Sequence, residues 1–261
     1  MSQHTGDSRI IGDLVQALYG LDTVPERFHI YQQTVCNLGF DAVCYSFEPK
    51  SSFNPDLKRP PVFEVSPRFP LNFLQDYKKN GWFQDDFTIR EICEGKLQAK
   101  DWKQKEKSTQ LKEREKHLIR VAREQYGIKN AISIPTMKHL VGLAGASIIS
   151  FQDDASFAAL KRDHLTTLTA CTQVFNDIIM QQPAQLVKTF VFDKLPKITP
   201  KERIVLRELL SGVPLKQLGE ASGINPNAAK NHLARLRQKF EVNKTEQLKY
   251  KLETLNMMDY L

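Results

Sequence analysis

The sequence predicts an α+β protein, an α/β/α sandwich around a largely antiparallel sheet followed by a small all-α domain. Three observations carry that prediction. Up to residue 181 the chain reads as helices, strands, helices, a hairpin and a long helix, without the repeated strand–helix alternation of a parallel sheet. From Ile198 onward the patterns are helical. Between the two, Gln182 to Lys197 carries Pro183 and Pro196 and reads as an interdomain linker. The expected organisation is 1–181, a linker at 182–197, and 198–261.

Ile10 to Tyr19 places Ile10, Ile11, Leu14, Val15 and Leu18 at helical spacing, and Gly20 closes the run. A second helix begins near Thr23, with Pro25 and Glu26, and continues to Gly39. Phe40 to Phe47 is rich in β-formers and reads as a strand, with a neighbour at Val62 to Val65. Asn54-Pro55 and Pro60-Pro61 mark Ser51 to Pro61 as a loop. Leu71, Leu74 and Tyr77 predict a helix to Asn80-Gly81, and Phe87 to Cys93 another, ended by Gly95. Gln98 to Trp102 reads as a short strand. Ser108 to Tyr126 is a charged helix with a narrow apolar seam and a solvated outer face. Asn130 to Met137 and Val141 to Phe151 form a hairpin. Ala155 to Gln181 is a long helix that either covers the sheet or pairs with a second subunit.

The last quarter has sharper punctuation. Thr199, Pro200 and Glu202 make a capping box with proline in the first turn. Ile204, Val205, Leu206, Leu209 and Leu210 follow at helical spacing, and Gly212 ends them. Leu215, Leu218 and Ala221 form a second short apolar face, stopped at Gly223. Asn225-Pro226 restarts the chain, with Ala229, Leu233, Leu236 and Phe240 along one stripe. Short helix, tight turn and longer helix describe a helix-turn-helix. With that stripe inward, Asn227, Lys230, Asn231 and Ala234 point outward, flanked by Arg235, Arg237 and Lys239. Asn pairs bidentately with adenine, Lys donates to guanine, and arginines meet phosphates. A solvated helix face is the alternative, but caps, spacing and amides coincide, which favours binding to double-stranded DNA. Thr199 and Lys216 complete the expected DNA-contacting set.

Net charge is +7; residues 198–261 carry +4 of it and the other 197 residues only +3. The basic excess thus concentrates where DNA contact is expected. The first residues lack the basic and apolar regions of a secretory signal, and no stretch approaches a membrane span. Cys36, Cys44, Cys93 and Cys171 are scattered, against a disulfide framework or structural zinc, and a reducing cytoplasm fits. The six histidines are dispersed, and neither a phosphate loop nor a nucleophile elbow is visible, so no catalytic residues, metal or cofactor are expected.

Aromatic residues crowd between Phe69 and Trp102, with Asp85 and Asp86 among them. Phe69, Phe73 and Tyr77 are four apart and can share one side of a helix. A plain hydrophobic core with Asp86 as a helix cap explains this, as does an apolar pocket with few polar groups.

ITPKERIVLRELLSG and NAAKNHLARLRQKFEV resemble the DNA-binding domain of LuxR-type transcription regulators. Ala228-Ala229 departs from that pattern, where the family commonly has Thr-Val. Tyr77, Asp86 and Trp102 are similar to the pocket signature of the same family's autoinducer-binding domain. That resemblance implies that Asp86 accepts from a signal's amide N–H, Tyr77 lines the acyl pocket, and Trp102 packs near the lactone end. Thr88 and Ser150 fall where relatives place hydroxyls near the acyl carbonyl. Phe73 and Phe69 stand where the family has a Trp and a Tyr that donate to the ligand; Phe87 replaces a Pro and Ala131 a Gly. A phenyl ring cannot donate. The signal expected is therefore an acyl-homoserine lactone or, better suited, a non-lactone analogue that offers a donor to Asp86. The resemblance further implies a homodimer, with RNA polymerase as a candidate partner; no long basic amphipathic helix points to a membrane surface, so no membrane partner is expected. A ligand-independent protein that heterodimerises with and inhibits a related regulator is the alternative, motivated by the two Phe replacements.

Overall fold

A computed structural model describes residues 2–49, 61–138, 142–182, 189, 196–254 and 257–261. The expected loop at 51–61, except Pro61, the hairpin turn at 139–141 and most of the expected linker lie outside the described residues. The chain divides into two compact units, the elements up to Gln181 and those after it.

In the first unit, Thr23 caps the second helix as its sequence requires. Its hydroxyl accepts from the Glu26 N–H at 3.3 Å while the Glu26 carboxylate accepts from the Thr23 N–H at 3.1 Å. Helices α1 (Ser2–Tyr19) and α2 (Val24–Asn37) pack on each other and on the long α7 (Asp154–Met180). The sheet contains β1 (Ala42–Pro49), β2 (Val62–Val65), β3 (Lys100–Asp101), β4 (Asn130–Lys138) and β5 (Gly142–Ser150), in the order β2-β1-β5-β4-β3. The pairs β1–β2, β3–β4 and β4–β5 are antiparallel. Alternation along the strands separates two cores. On one face Tyr45 and Thr136 donate to the Asn176 side-chain oxygen at 2.9 and 2.8 Å, joining sheet to α7. Phe175 stacks on Tyr31 at 4.6 Å on the same side. On the other face Cys44, Ala131 and Ile149 meet the aromatics of α3 (Leu71–Lys79). There α4 (Phe87–Cys93), α5 (Trp102–Glu106) and α6 (Glu113–Tyr126) complete the third layer.

Two expectations are corrected here. The strand read over Gln98 to Trp102 pairs only at Lys100 and Asp101. Asp101 then turns the chain into helix, its carboxylate accepting from the Gln104 N–H at 3.1 Å. The charged helix begins at Glu113 rather than Ser108. The Ser108 hydroxyl accepts from the Gln110 N–H at 3.1 Å and holds a turn instead. Gly127, at φ 70°, ends α6 as expected.

Among its described residues the second unit has the α-helices α8 (Pro200–Leu210), α9 (Pro226–Lys239) and α10 (Thr245–Thr254). Their core contains Val205, Leu206, Leu236, Leu248 and Leu252, all fully buried. The expected short helix over Leu215 to Ala221 is a series of turns ending in one 3-10 turn, Glu220–Ser222. Gly219 explains the departure. It sits at φ +89°, and a Cβ there would lie 2.7 Å from the Ile224 side chain. Glu208 on α8 ties the turn down, accepting from the Gly219 N–H and, at 2.9 Å, from the Ser222 hydroxyl.

Candidate functional site

Packing of α3 against the sheet leaves a cavity beneath it. The helix buries Phe73, Leu74 and Tyr77, three residues that its periodicity puts on one side. Phe69 also reaches the wall, from the turn before Pro70 rather than from the helix that the spacing suggested. The cavity is small, about 70 Å³, and opens to solvent at its mouth. Phe63, Phe87, Trp102, Leu118, Ile119 and Ile134 continue its apolar lining.

Asp86 is both the helix cap and the acidic group of the cavity. Its Oδ1 accepts from the Thr88 N–H at 2.8 Å, capping α4, and its Oδ2 accepts from the Tyr77 hydroxyl at 2.8 Å. The two explanations weighed for this carboxylate are compatible. Burial pushes its pKa above the usual carboxylate range, against the pull of the Tyr77 and Thr88 hydrogen bonds. Burial also raises the Tyr77 phenol, and the adjacent Asp86 adds to the effect. Among the described residues no Lys, Arg or His forms an ion pair with Asp86.

The other polar groups converge on a residue that the sequence reading did not single out. Ser133 on β4 accepts from the Trp102 indole N–H at 2.8 Å and from the Thr88 hydroxyl at 3.1 Å. It lies 3.4 Å from the Ser147 hydroxyl, its cross-strand partner on β5. Ser147 lines the cavity. The available signal was two serines in facing strands of a hairpin, but their register depends on a bulge between Pro135 and Met137. Ser150 requires correction, because it does not line the cavity. It is one strand position out of phase with Ser147, and its hydroxyl donates to Asp41 at 3.1 Å. Of the expected ligand-binding residues, Phe69, Phe73, Tyr77, Asp86, Thr88 and Trp102 share the cavity wall.

Phe69 and Phe73 are buried, each 4% exposed. Phe73 packs against Tyr77 at 5.8 Å, Trp82 at 6.0 Å and Tyr126 at 5.3 Å between ring centroids. The Tyr126 hydroxyl is directed elsewhere, to Asp76 at 2.7 Å.

In the second unit α9 buries Ala229, Leu233 and Leu236 and leaves Asn227, Lys230, Asn231, Ala234 and Arg235 exposed. Asn225 caps it, accepting from the Asn227 N–H at 2.9 Å. Arg237 is half-buried and donates to the Asn243 carbonyl at 3.5 Å. Lys239 is engaged inside the unit, 2.7 Å from the buried Glu202 and 2.9 Å from the Lys197 carbonyl. Thr199 is exposed, and its hydroxyl accepts from the Glu202 N–H at 3.3 Å. Lys216 is exposed in the turn region.

Among the described residues no group of His, Cys, Asp or Glu is arranged to hold a metal, and no helix is long and apolar enough to cross a membrane. A family model described as the autoinducer binding domain matches residues 23–178. Among proteins of curated function none matches the chain. Two structures of SdiA are similar in fold. The Escherichia coli crystal structure has TM-score 0.52 at 13% identity, covering 95% of this chain and 97% of that one. SdiA in complex with octanoyl-rac-glycerol has TM-score 0.55 at 13% identity, covering 94% and 93%.

Proposed function

The chain belongs to the autoinducer-binding-domain family, and from that premise we propose that it is a transcription regulator controlled by a small molecule. The observation that carries the reading is the carboxylate of Asp86 in an aromatic-walled cavity, oriented by Tyr77 and Thr88 and without a paired cation among the described residues. A carboxylate accepts only, so the signal brings the donor. Because Phe69 and Phe73 supply no hydrogen bond, an ordinary acyl-homoserine lactone loses up to two interactions, each about 0.5–1.5 kcal/mol. A non-lactone signal fits these groups better.

Ligand burial would complete the apolar core of the first unit and shift the population toward a homodimer. The second unit would act as a helix-turn-helix DNA-binding domain, with α9 in the major groove and Asn227, Lys230 and Asn231 facing the bases. Arg235, Arg237, Thr199 and Lys216 would meet the backbone. In a dimer the two copies of α9 would sit one DNA turn apart on a pseudo-palindromic site. Purification from native cells followed by mass spectrometry of bound small molecules tests the signal half. A retained compound that raises both thermal stability and DNA affinity supports the reading. Unchanged stability and DNA affinity across cell extracts and candidate ligands contradicts it.

The phenyl rings at 69 and 73 favour a second reading, a ligand-independent protein that heterodimerises with and inhibits a related regulator. Affinity capture separates the two. A homodimeric regulator recovers chiefly itself, whereas an inhibitor recovers a related chain.

A further inference from the structure

Resting on the small-molecule reading of the cavity, we infer that its ligand is a cation: a protonated amine carrying an apolar body, with the ammonium against Asp86 and the body among the aromatic rings. The first support is the direction of the hydrogen bonds. The Tyr77 hydroxyl donates to Asp86, the Thr88 hydroxyl and the Trp102 indole donate to Ser133, and the Ser46 hydroxyl donates to the Gly145 carbonyl at 3.3 Å. Ser133 therefore has both acceptor positions filled and turns its own proton toward Ser147, 3.4 Å away. That leaves the Ser147 proton as the one side-chain O–H or N–H hydrogen on the described wall without an acceptor. A head group built from carbonyls finds one donor there, while a head group built from N–H donors finds the Asp86 carboxylate.

The second support is charge. Among the described residues nothing positive pairs with Asp86, whereas the buried Glu91, Glu115 and Glu202 each have a cation. Glu91 has Lys105 at 2.7 Å, Glu115 has Arg90 at 2.6 Å and Glu202 has Lys239 at 2.7 Å. Hydrogen bonds orient Asp86 without neutralising it, and a buried carboxylate lacking a counter-charge is costly. The third is the wall itself. Ring faces attract cations, and groups of aromatic rings recognise ammonium ligands. Tyr77, which holds Asp86, has Phe63 at 5.9 Å and Phe73 at 5.8 Å. Phe87 and Trp102 stand edge to face at 6.4 Å on the same cavity.

The test uses the full chain and two matched probe series, phenylpropyl and hexyl, each as amine, alcohol, amide and carboxylate. Affinity is read by calorimetry and by thermal shift, for the wild type and for Asp86→Asn, which keeps an oxygen to cap α4. The inference expects the amine to bind about tenfold or more tightly than the alcohol and amide of the same series. It also expects Asp86→Asn to abolish that preference. The wild-type ranking decides the question if the variant fails to fold. An alcohol, amide or carboxylate that binds as tightly as the amine overturns the cationic ligand and leaves the small-molecule cavity standing. Failure of every probe in both series to bind the wild type removes the cavity reading together with it.

Discussion

Ser133 is 1% exposed and accepts from two side chains that reach it from different helices, Trp102 on α5 and Thr88 on α4. Replacing it with Ala leaves the indole N–H without an acceptor, a loss of about 1–3 kcal/mol. Denaturant unfolding of Ser133→Ala should show that fall, and an unchanged midpoint would contradict the proposed junction. Phe73 gives the complementary prediction. Phe73→Trp restores an indole donor at the cavity wall, so affinity for an acyl-homoserine lactone should rise about three- to tenfold by calorimetry. No gain would mean that the ligand head lies elsewhere. Tyr77, Asp86 and Trp102 stand out in the sequence only through their resemblance to a family pocket signature, since their residue types alone suit a plain core as well. Ser133 and Ser147 do not stand out, because a serine in a strand carries no local sign of which face it occupies. Ser150 was misplaced for the same reason: one step along a strand moves a side chain to the opposite face.

At the scale of elements, most boundaries follow from caps. Asp153 accepts from the N–H groups of Ala155 and Ser156, both at 2.9 Å, and starts the 27-residue α7. Asp153→Ala should lower stability by about 1 kcal/mol, read as a lower thermal midpoint. A fork joins α5 to α6, with Arg123 donating to both Glu106 oxygens at 2.6 and 3.0 Å. The Arg123 guanidinium holds the Glu106 carboxyl below the usual carboxylate range. Its folded pKa is therefore lower than its unfolded one. The stability it contributes is present above the unfolded value and is lost as pH falls through the folded value. Glu106→Gln should remove that part of the acid-side decline in a stability–pH profile. The sequence is less legible where short-range interactions outweigh an apolar pattern. Asp101 caps a helix inside an expected strand, and Gly219 breaks an expected helix at a φ that other residues rarely adopt.

Across the whole molecule, the division into an α/β/α unit and a smaller helical unit was visible because strand signals stop before residue 198. The sheet order was not, since β1 lies beside β5, more than 90 residues away, and no local pattern announces so distant a neighbour. The proposed function needs both units: a cavity that senses and a helical surface that reads DNA. Exposure of Asn227, Lys230, Asn231 and Arg235 over a buried Ala229–Leu233–Leu236 stripe gives that surface its form. The most direct test compares the wild type with Lys230→Ala/Asn231→Ala on a duplex selected from random sequence by the wild type. The double variant should fold normally by circular dichroism, bind the selected duplex at least about tenfold more weakly, and lose most of its preference over unselected DNA. Equal affinity and equal sequence preference in the folded double variant would contradict the regulator assignment.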